Sequence, residues 1–317
     1  MIKEYLNLSN KNLENLPDLS KYTNLKILHC NCNKLTNLDN LPISLKEIHC
    51  IKNNLTDSLD ISYLVNLEKL DCSWNYFTKI PILPKSLKLI SFNSNEIIDI
   101  SNIVYLTNVR SIFLYKNNLT NINVLSKLIH LEYLNCSNNF LENLPFLSNT
   151  INTLNCSFNK ISNLDIIENL ILLKNLNCSS NKLKKLPKLP DCLEELCFNN
   201  NEIERIDRIP KSITNFWGNN NKLLFLPYIP ITIYFFSAEN NNLIYHSRDI
   251  NKLNIKYKKI YNFQNLFYSI KFKKAFRKWL YEKVRLPKIK IKYHPDNLKK
   301  ILDNIDKNEE FNPSMWN

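Results

Sequence analysis

One phrase recurs eleven times along the first three quarters of the chain, and it constrains the fold more than any other feature. Its clearest copy reads Leu25-x-x-Leu28-x-Cys30-x-x-Asn33-x-Leu35. The copies open at Leu25, Leu45, Leu67, Leu87, Val109, Leu131, Ile151, Leu173, Leu193, Ile213 and Ile233, and a weaker twelfth begins at Lys3 with Leu6, Leu8 and Leu13 in place. The spacings are only 20 or 22 residues. Each copy alternates apolar and polar residues over a short stretch, the period of a strand buried on one face, and then turns back at an Asn. A unit this small cannot bury its own apolar face, so the copies must stack and cover one another.

The Asn column comprises Asn33, Asn53, Asn75, Asn95, Asn117, Asn139, Asn159, Asn181, Asn201, Asn221 and Asn241. A chain turning out of a buried strand leaves N–H and C=O groups without partners, and a stacked carboxamide offers both donors and an acceptor to them. In the first copy the position is Lys11, which suits a terminal repeat with one face in water. The two spacings imply two return segments. Twenty-residue copies carry phrases such as Leu38-x-x-Leu41-Pro42-x-Ser44-Leu45, in which proline favours an extended path. Twenty-two-residue copies, such as Leu59 to Leu67, lack Pro and have room for a turn of 3₁₀ or α helix.

This phrase resembles that of leucine-rich repeat proteins, and the Pro-containing return is similar to the short repeats of bacterial effectors. The resemblance covers residues 1–243. It implies an α/β-type solenoid with a curved parallel β-sheet on the concave face and a largely non-helical convex face of polyproline and 3₁₀ segments. Residues 244–317 would then form a basic, mainly helical C-terminal cap.

Composition excludes several functions. A single Gly in 317 residues argues against any Gly-rich phosphate or dinucleotide loop. No apolar run approaches the roughly 20 residues that span a bilayer, and Met1-Ile2-Lys3-Glu4 leads directly into the pattern, so the expectation is an intracellular protein of the cytoplasm or a virion. Cys30, Cys50, Cys72, Cys136, Cys156 and Cys178 fill the third apolar slot, where sister copies have Phe92, Leu114 and Phe198. They read as small buried hydrophobes rather than metal ligands or disulfides. Asn-Cys-Ser triplets at Asn135, Asn155 and Asn177 match the glycosylation pattern only as by-products of the repeat. No cofactor, metal, catalytic residue or small-molecule substrate is expected.

Residues between the apolar slots should point to the concave side. One column runs Asn7, His29, His49, Asp71, Ser91, Phe113, Asn135, Asn155, Asn177, Cys197, Trp217 and Ser237, and its neighbour runs from Tyr5 to Phe235. Most members are small or polar, but Leu89, Phe113 and Tyr133 cluster with Trp74 and Tyr115 at the strand exits. Aromatic residues that the pattern places in water favour partner contact, so these five, with His29 and His49, form the candidate binding face. A second group, Trp217, Tyr234 and Phe235, is expected to lie beneath the segment that follows residue 243.

Most of the formal charge of +13 belongs to the tail. Between Lys252 and Lys300 the acids are Glu282 and Asp296 alone. On a helical wheel over 271–285, Phe272, Ala275, Phe276, Trp279, Leu280 and Val284 share one face, with Lys271, Lys274, Arg277, Lys278 and Arg285 opposite. Pro287 should end that helix, and a second should carry Leu298, Ile301, Leu302 and Ile305. The segment Arg277-Lys278-Trp279-Leu280-Tyr281-Glu282-Lys283-Val284-Arg285-Leu286-Pro287-Lys288-Ile289 with Lys292-Tyr293-His294-Pro295 looks like the C-terminal segment of giant-virus (mimivirus-like) repeat proteins, which implies a host-directed or virion-associated role.

These features together predict a non-enzymatic scaffold that binds a protein partner, of host origin on the viral resemblance, through its concave face. Two alternatives stay open. One is a substrate adaptor for a ubiquitin ligase, although no helical F-box segment precedes the repeats. The other is binding of RNA or anionic membrane through residues 252–300. Ubiquitin transfer itself would need a nucleophilic Cys in a C-terminal domain, and no Cys follows Cys197.

Overall fold

Each repeat contributes one three-residue strand, because three residues are all that the phrase leaves between the turn that enters it and the Asn turn that leaves it. The computed structural model describes residues 3–245, 247, 249–292, 294 and 297, without the side chains of 261, 263–272, 276 and 292. The strands are β1 (Tyr5–Asn7), β2 (Ile27–His29), β3 (Glu47–His49), β4 (Lys69–Asp71), β5 (Leu89–Ser91), β6 (Ser111–Phe113), β7 (Tyr133–Asn135), β8 (Thr153–Asn155), β9 (Asn175–Asn177), β10 (Glu195–Cys197), β11 (Asn215–Trp217) and β12 (Phe235–Ser237). They form one twelve-stranded sheet in chain order. Neighbours pair in parallel with equivalent positions opposite one another, as in Ile27 with Glu47 and His29 with His49.

In β2 to β11 the middle residue of every strand is buried. The Cys column and its Phe and Leu equivalents lie beneath the same sheet with no exposed surface. Full burial of each such aliphatic side chain contributes about 1.5–3 kcal/mol, repeated at every rung. All nine cysteines are free thiols, and the Sγ atoms of Cys50 and Cys72 approach to 3.2 Å.

The ladder residues close the turns. Asn53 donates from Nδ2 to the carbonyls of Cys30 and Cys50, both at 3.0 Å, and its Oδ1 accepts from Leu35 N at 3.0 Å. Asn33 does the same for the first turn, accepting from the N–H of Lys11 and of Leu13. The residue before each ladder Asn is left-handed; Trp74 and Phe158, with φ of 58° and 53°, are bulky exceptions to the usual preference for Gly or Asn there.

On the convex side, 3₁₀ turns occur at Ser101–Ile103, Asn123–Lys127 and Asp165–Asn169, each in a 22-residue copy. The other two long copies, ending at Leu25 and Leu67, make only successive turns, with Tyr22 N donating to Leu19 O at 2.9 Å and Leu64 N to Ile61 O at 3.1 Å. The short copies are extended, and their Ser hydroxyls tie successive repeats together, as in Ser44 to Leu25 O at 2.8 Å and Ser86 to Leu67 O at 2.7 Å.

The chain divides into two compact units, Met1–Asn254 and Ile255–Asn317. Helix α1 (Ile250–Leu280) starts in the first of these. Asp249 caps it, accepting from the N–H groups of Asn251 and Lys252. Its first turns close the last repeat: Leu253 is buried, and Asn254 exchanges two hydrogen bonds with the backbone of Ile229 at 2.8 and 2.9 Å.

One expectation for the tail needs correction. The helix, which begins at Ile250, is not ended by Pro287, because a π-helical turn at Tyr281–Arg285 precedes Pro287 and α2 (Leu286–Lys292) contains it. Pro287 follows directly on the π-helical turn, whose widened backbone accommodates the ring and the missing N–H inside a continuous helix. The second helix expected over Leu298, Ile301, Leu302 and Ile305 lies outside the described residues. Among the described residues no helix is long and apolar enough to cross a membrane.

Candidate binding face

The outer residues of each three-residue strand point away from the core, so the sheet presents two columns of side chains. Phe113 and Tyr133 meet across β6 and β7 with ring centroids 4.7 Å apart and planes inclined by 31°. Leu89 lies in the same row as Tyr133 with Ser111 between them, and all three are half-buried. At the strand exits Trp74 is 56% exposed and Tyr115 39%. The Lys116 ammonium sits 5.2 Å from the Trp74 ring centroid. Thus Phe113 is brought to Tyr133 and Trp74 to Lys116, on a backbone that the ladder holds rigid.

His29 and His49 pack with ring centroids 4.5 Å apart, and Tyr5 meets His29 edge-on at 5.2 Å. His49 Nε2 lies 3.7 Å from the Glu47 carboxylate, which Lys69 also holds at 2.7 Å. Partial burial lowers the His29 pKa from its ordinary value of 6.5, and His49 lowers it further against the opposing pull of Glu47. The Lys69 hydrogen bond likewise keeps the Glu47 carboxyl below its usual range.

The segment leading to Asn254 does not cover the second aromatic group. Tyr234 is 90% and Phe235 48% exposed, and Trp217 packs on Phe235 at 5.3 Å. After β12 the chain enters α1 against Ile229. Between the two aromatic groups lies an open hollow of about 430 Å³, walled by Tyr133 and Trp217 and floored by Thr153, Asn155, Asn175, Asn177 and Glu195. Nothing in the sequence reading singled this hollow out. Phe158 and Phe140, exposed at strand exits and the latter under the Lys160 ammonium at 5.1 Å, were missed too.

In the tail Lys274, Arg277, Lys278 and Arg285 are exposed, with Lys278 Nζ 3.9 Å from Glu282. The Lys271 side chain, with those of Phe272 and Phe276, lies outside the described residues. Ala275 and Trp279, placed on the covered face by the wheel, are exposed, while Leu280 and Val284 are half-buried. Among the described residues no group of His, Cys, Asp and Glu is arranged to hold a metal ion.

No protein-family model matches the sequence, and no curated protein matches it either. Solved structures do. YopM, a leucine-rich effector protein from Yersinia pestis, is 29% identical, with a TM-score of 0.65 over 79% of this chain and 70% of that one. This chain is a leucine-rich repeat protein. The functional domain of InlJ from Listeria monocytogenes, which includes a cysteine ladder, is 25% identical with a TM-score of 0.69 over 78% of this leucine-rich repeat protein, which spans little more than half of InlJ, 56%. A chain from the octameric complex of Latrophilin 3, Unc5D and FLRT2 (LRR) shares the fold at 16% identity, with a TM-score of 0.61 over 79% of this chain and 78% of that one. The comparisons lend no support to the finer resemblance to giant-virus repeat proteins.

Proposed function

We propose that this leucine-rich repeat protein is a non-enzymatic scaffold that holds a protein partner on its concave face. The observation that carries the reading is the half-buried pair Phe113 and Tyr133, with exposed Trp74 and Tyr115 at the strand exits, on a hydrogen-bonded sheet. Interfaces concentrate their binding energy in such aromatic residues, and a preorganised surface loses little entropy on binding. The similar structures agree with this use, since YopM is an effector and FLRT2 occurs in a multi-protein complex. His29 and His49 extend the face toward β2 and β3.

The test is capture of partners from a host-cell lysate by the intact chain and by a Trp74→Ala, Phe113→Ala, Tyr133→Ala variant, in low and high salt. The reading expects a protein partner that is lost in the variant and retained in high salt. Material unaffected by the variant and released by salt would overturn it. That outcome would favour a second reading, contact with RNA or anionic membrane, for which the exposed Lys273, Lys274, Arg277, Lys278, Lys283 and Arg285 of the helical segment speak.

A further inference from the structure

The fold leaves a row of hydrogen-bond donors unused beside and within the concave hollow. Asn135, Asn155 and Asn177 end three consecutive strands, each two residues before a Ser. Asn135 Oδ1 accepts from the N–H and hydroxyl of Ser137 at 3.1 and 2.6 Å. Asn155 Oδ1 accepts from those of Ser157 at 3.1 and 2.7 Å, and Asn177 Oδ1 from the N–H of Ser179 at 3.1 Å. Because the oxygen is tied to a backbone N–H, the orientation of each amide is fixed, and none of the three Nδ2 groups has a partner among the described residues. The Ser of each Asn-Cys-Ser triplet therefore fixes which atom of the Asn amide stays free.

We propose that this row and hollow receive a proline-rich segment of the partner in the polyproline II conformation, lying across β7 to β11. The inference deepens the concave-face reading and rests on it. A row of donors suits a chain that offers carbonyl oxygens without N–H groups, which is what consecutive prolines offer. The spacing fits as well. Strands lie about 4.8 Å apart, so the four steps from Tyr133 to Trp217 span about 19 Å, the rise of six residues at about 3.1 Å each. Aromatic rings at both ends supply the surfaces on which proline rings pack. No Lys or Arg lines the hollow and Glu195 does, which disfavours phosphate backbones.

The test titrates the full chain by calorimetry with blocked nonaproline, a Gly-Ser peptide of equal length and a neutral oligosaccharide. Nonaproline should bind at least about tenfold more tightly than the Gly-Ser peptide. Asn155→Asp should weaken it by about tenfold or more while leaving the urea midpoint unchanged. Asp71 shows why the fold tolerates that change: its Oδ1 accepts from the N–H and hydroxyl of Ser73 at 3.0 and 2.6 Å, so Asp keeps the turn and deletes only the donor. Trp217→Ala should weaken nonaproline comparably. Nonaproline bound no better than the Gly-Ser peptide, or bound equally by Asn155→Asp, overturns the inference. Oligosaccharide binding in its place, sensitive to Asn155→Asp, overturns it too and assigns the hollow to a glycan. If nonaproline is ignored while the Trp74, Phe113, Tyr133 variant still loses its protein partner, this inference falls and the concave-face reading stands.

Discussion

A Cβ atom added to Gly218 would lie 2.3 Å from Cζ of Phe198, so the chain's single glycine is the space into which that ring packs. Gly218 occupies the slot that Cys fills in six sister repeats, while Phe198 fills the same slot one strand earlier. The pair trades volume between adjacent rungs. Gly218→Ala should therefore destabilise the solenoid by about 1–3 kcal/mol through overpacking. Phe198→Leu in the same chain should recover part of that loss, and a coupling energy near zero in urea unfolding of the two single variants and the double variant would contradict the account.

The same substitution should act oppositely in the two Asn columns. Asn53 gives both amide hydrogens to buried carbonyls of Cys30 and Cys50, so Asn53→Asp sets a carboxylate against two carbonyl oxygens. A loss of more than about 3 kcal/mol is expected there, because buried acceptors lose their donors and a charge is buried unpaired. Asn155→Asp should stay within about 0.5 kcal/mol of the parent, since the Ser157 bonds survive. Equal urea midpoints for the two variants would refute the distinction.

Trp74 carries a stability cost at the proposed binding face. Its φ of 58° is left-handed, a region that costs a residue with a bulky side chain about 1–2 kcal/mol, and five of its equivalents are Asn. The contact with Lys116 returns about 0.5 kcal/mol at such an exposed site. Trp74→Asn should then raise stability by roughly 0.5–1 kcal/mol and weaken partner capture. A variant that is both less stable and equally able to bind would show that the residue serves packing alone.

Thiol chemistry distinguishes the columns. Burial pushes the thiols of Cys30, Cys136 and Cys178 well up and that of Cys156 up to about 12, while the hydrogen bond to Cys72, followed by burial, raises that of Cys50. Under native conditions a thiol reagent should modify Cys32 first, since it is exposed, and the half-exposed Cys192 and Cys197 more slowly. The six buried thiols should react only in denaturant. Native-state labelling of Cys50 or Cys72, read by peptide mass mapping, would contradict the packing of the sheet.

The strands, their parallel order and the role of the ladder Asn were legible because one 20- or 22-residue period fixes position, burial and turn together. Phe113 and Tyr133 could be placed on one face for the same reason. The hollow was not legible, since Asn135, Asn155 and Asn177 differ from ordinary repeat polarity only through the Ser two residues on, which decides which atom of the amide remains free. Gly218 read as an irregular core residue because its partner, Phe198, is a whole repeat away in sequence. In the tail the period is lost, so Asp249 was the one local signal for the start of α1, and Pro287 read as a stop because nothing in the sequence announces a π-helical turn.

The most direct test is covalent footprinting of Trp and Tyr side chains in the captured complex, compared with the free chain. The account predicts protection of Trp74, Tyr115 and Tyr133, with Trp279 and Tyr281 of the basic helical segment labelled as before. Protection of Trp279 and Tyr281 alone, with the concave residues still reactive, would contradict it.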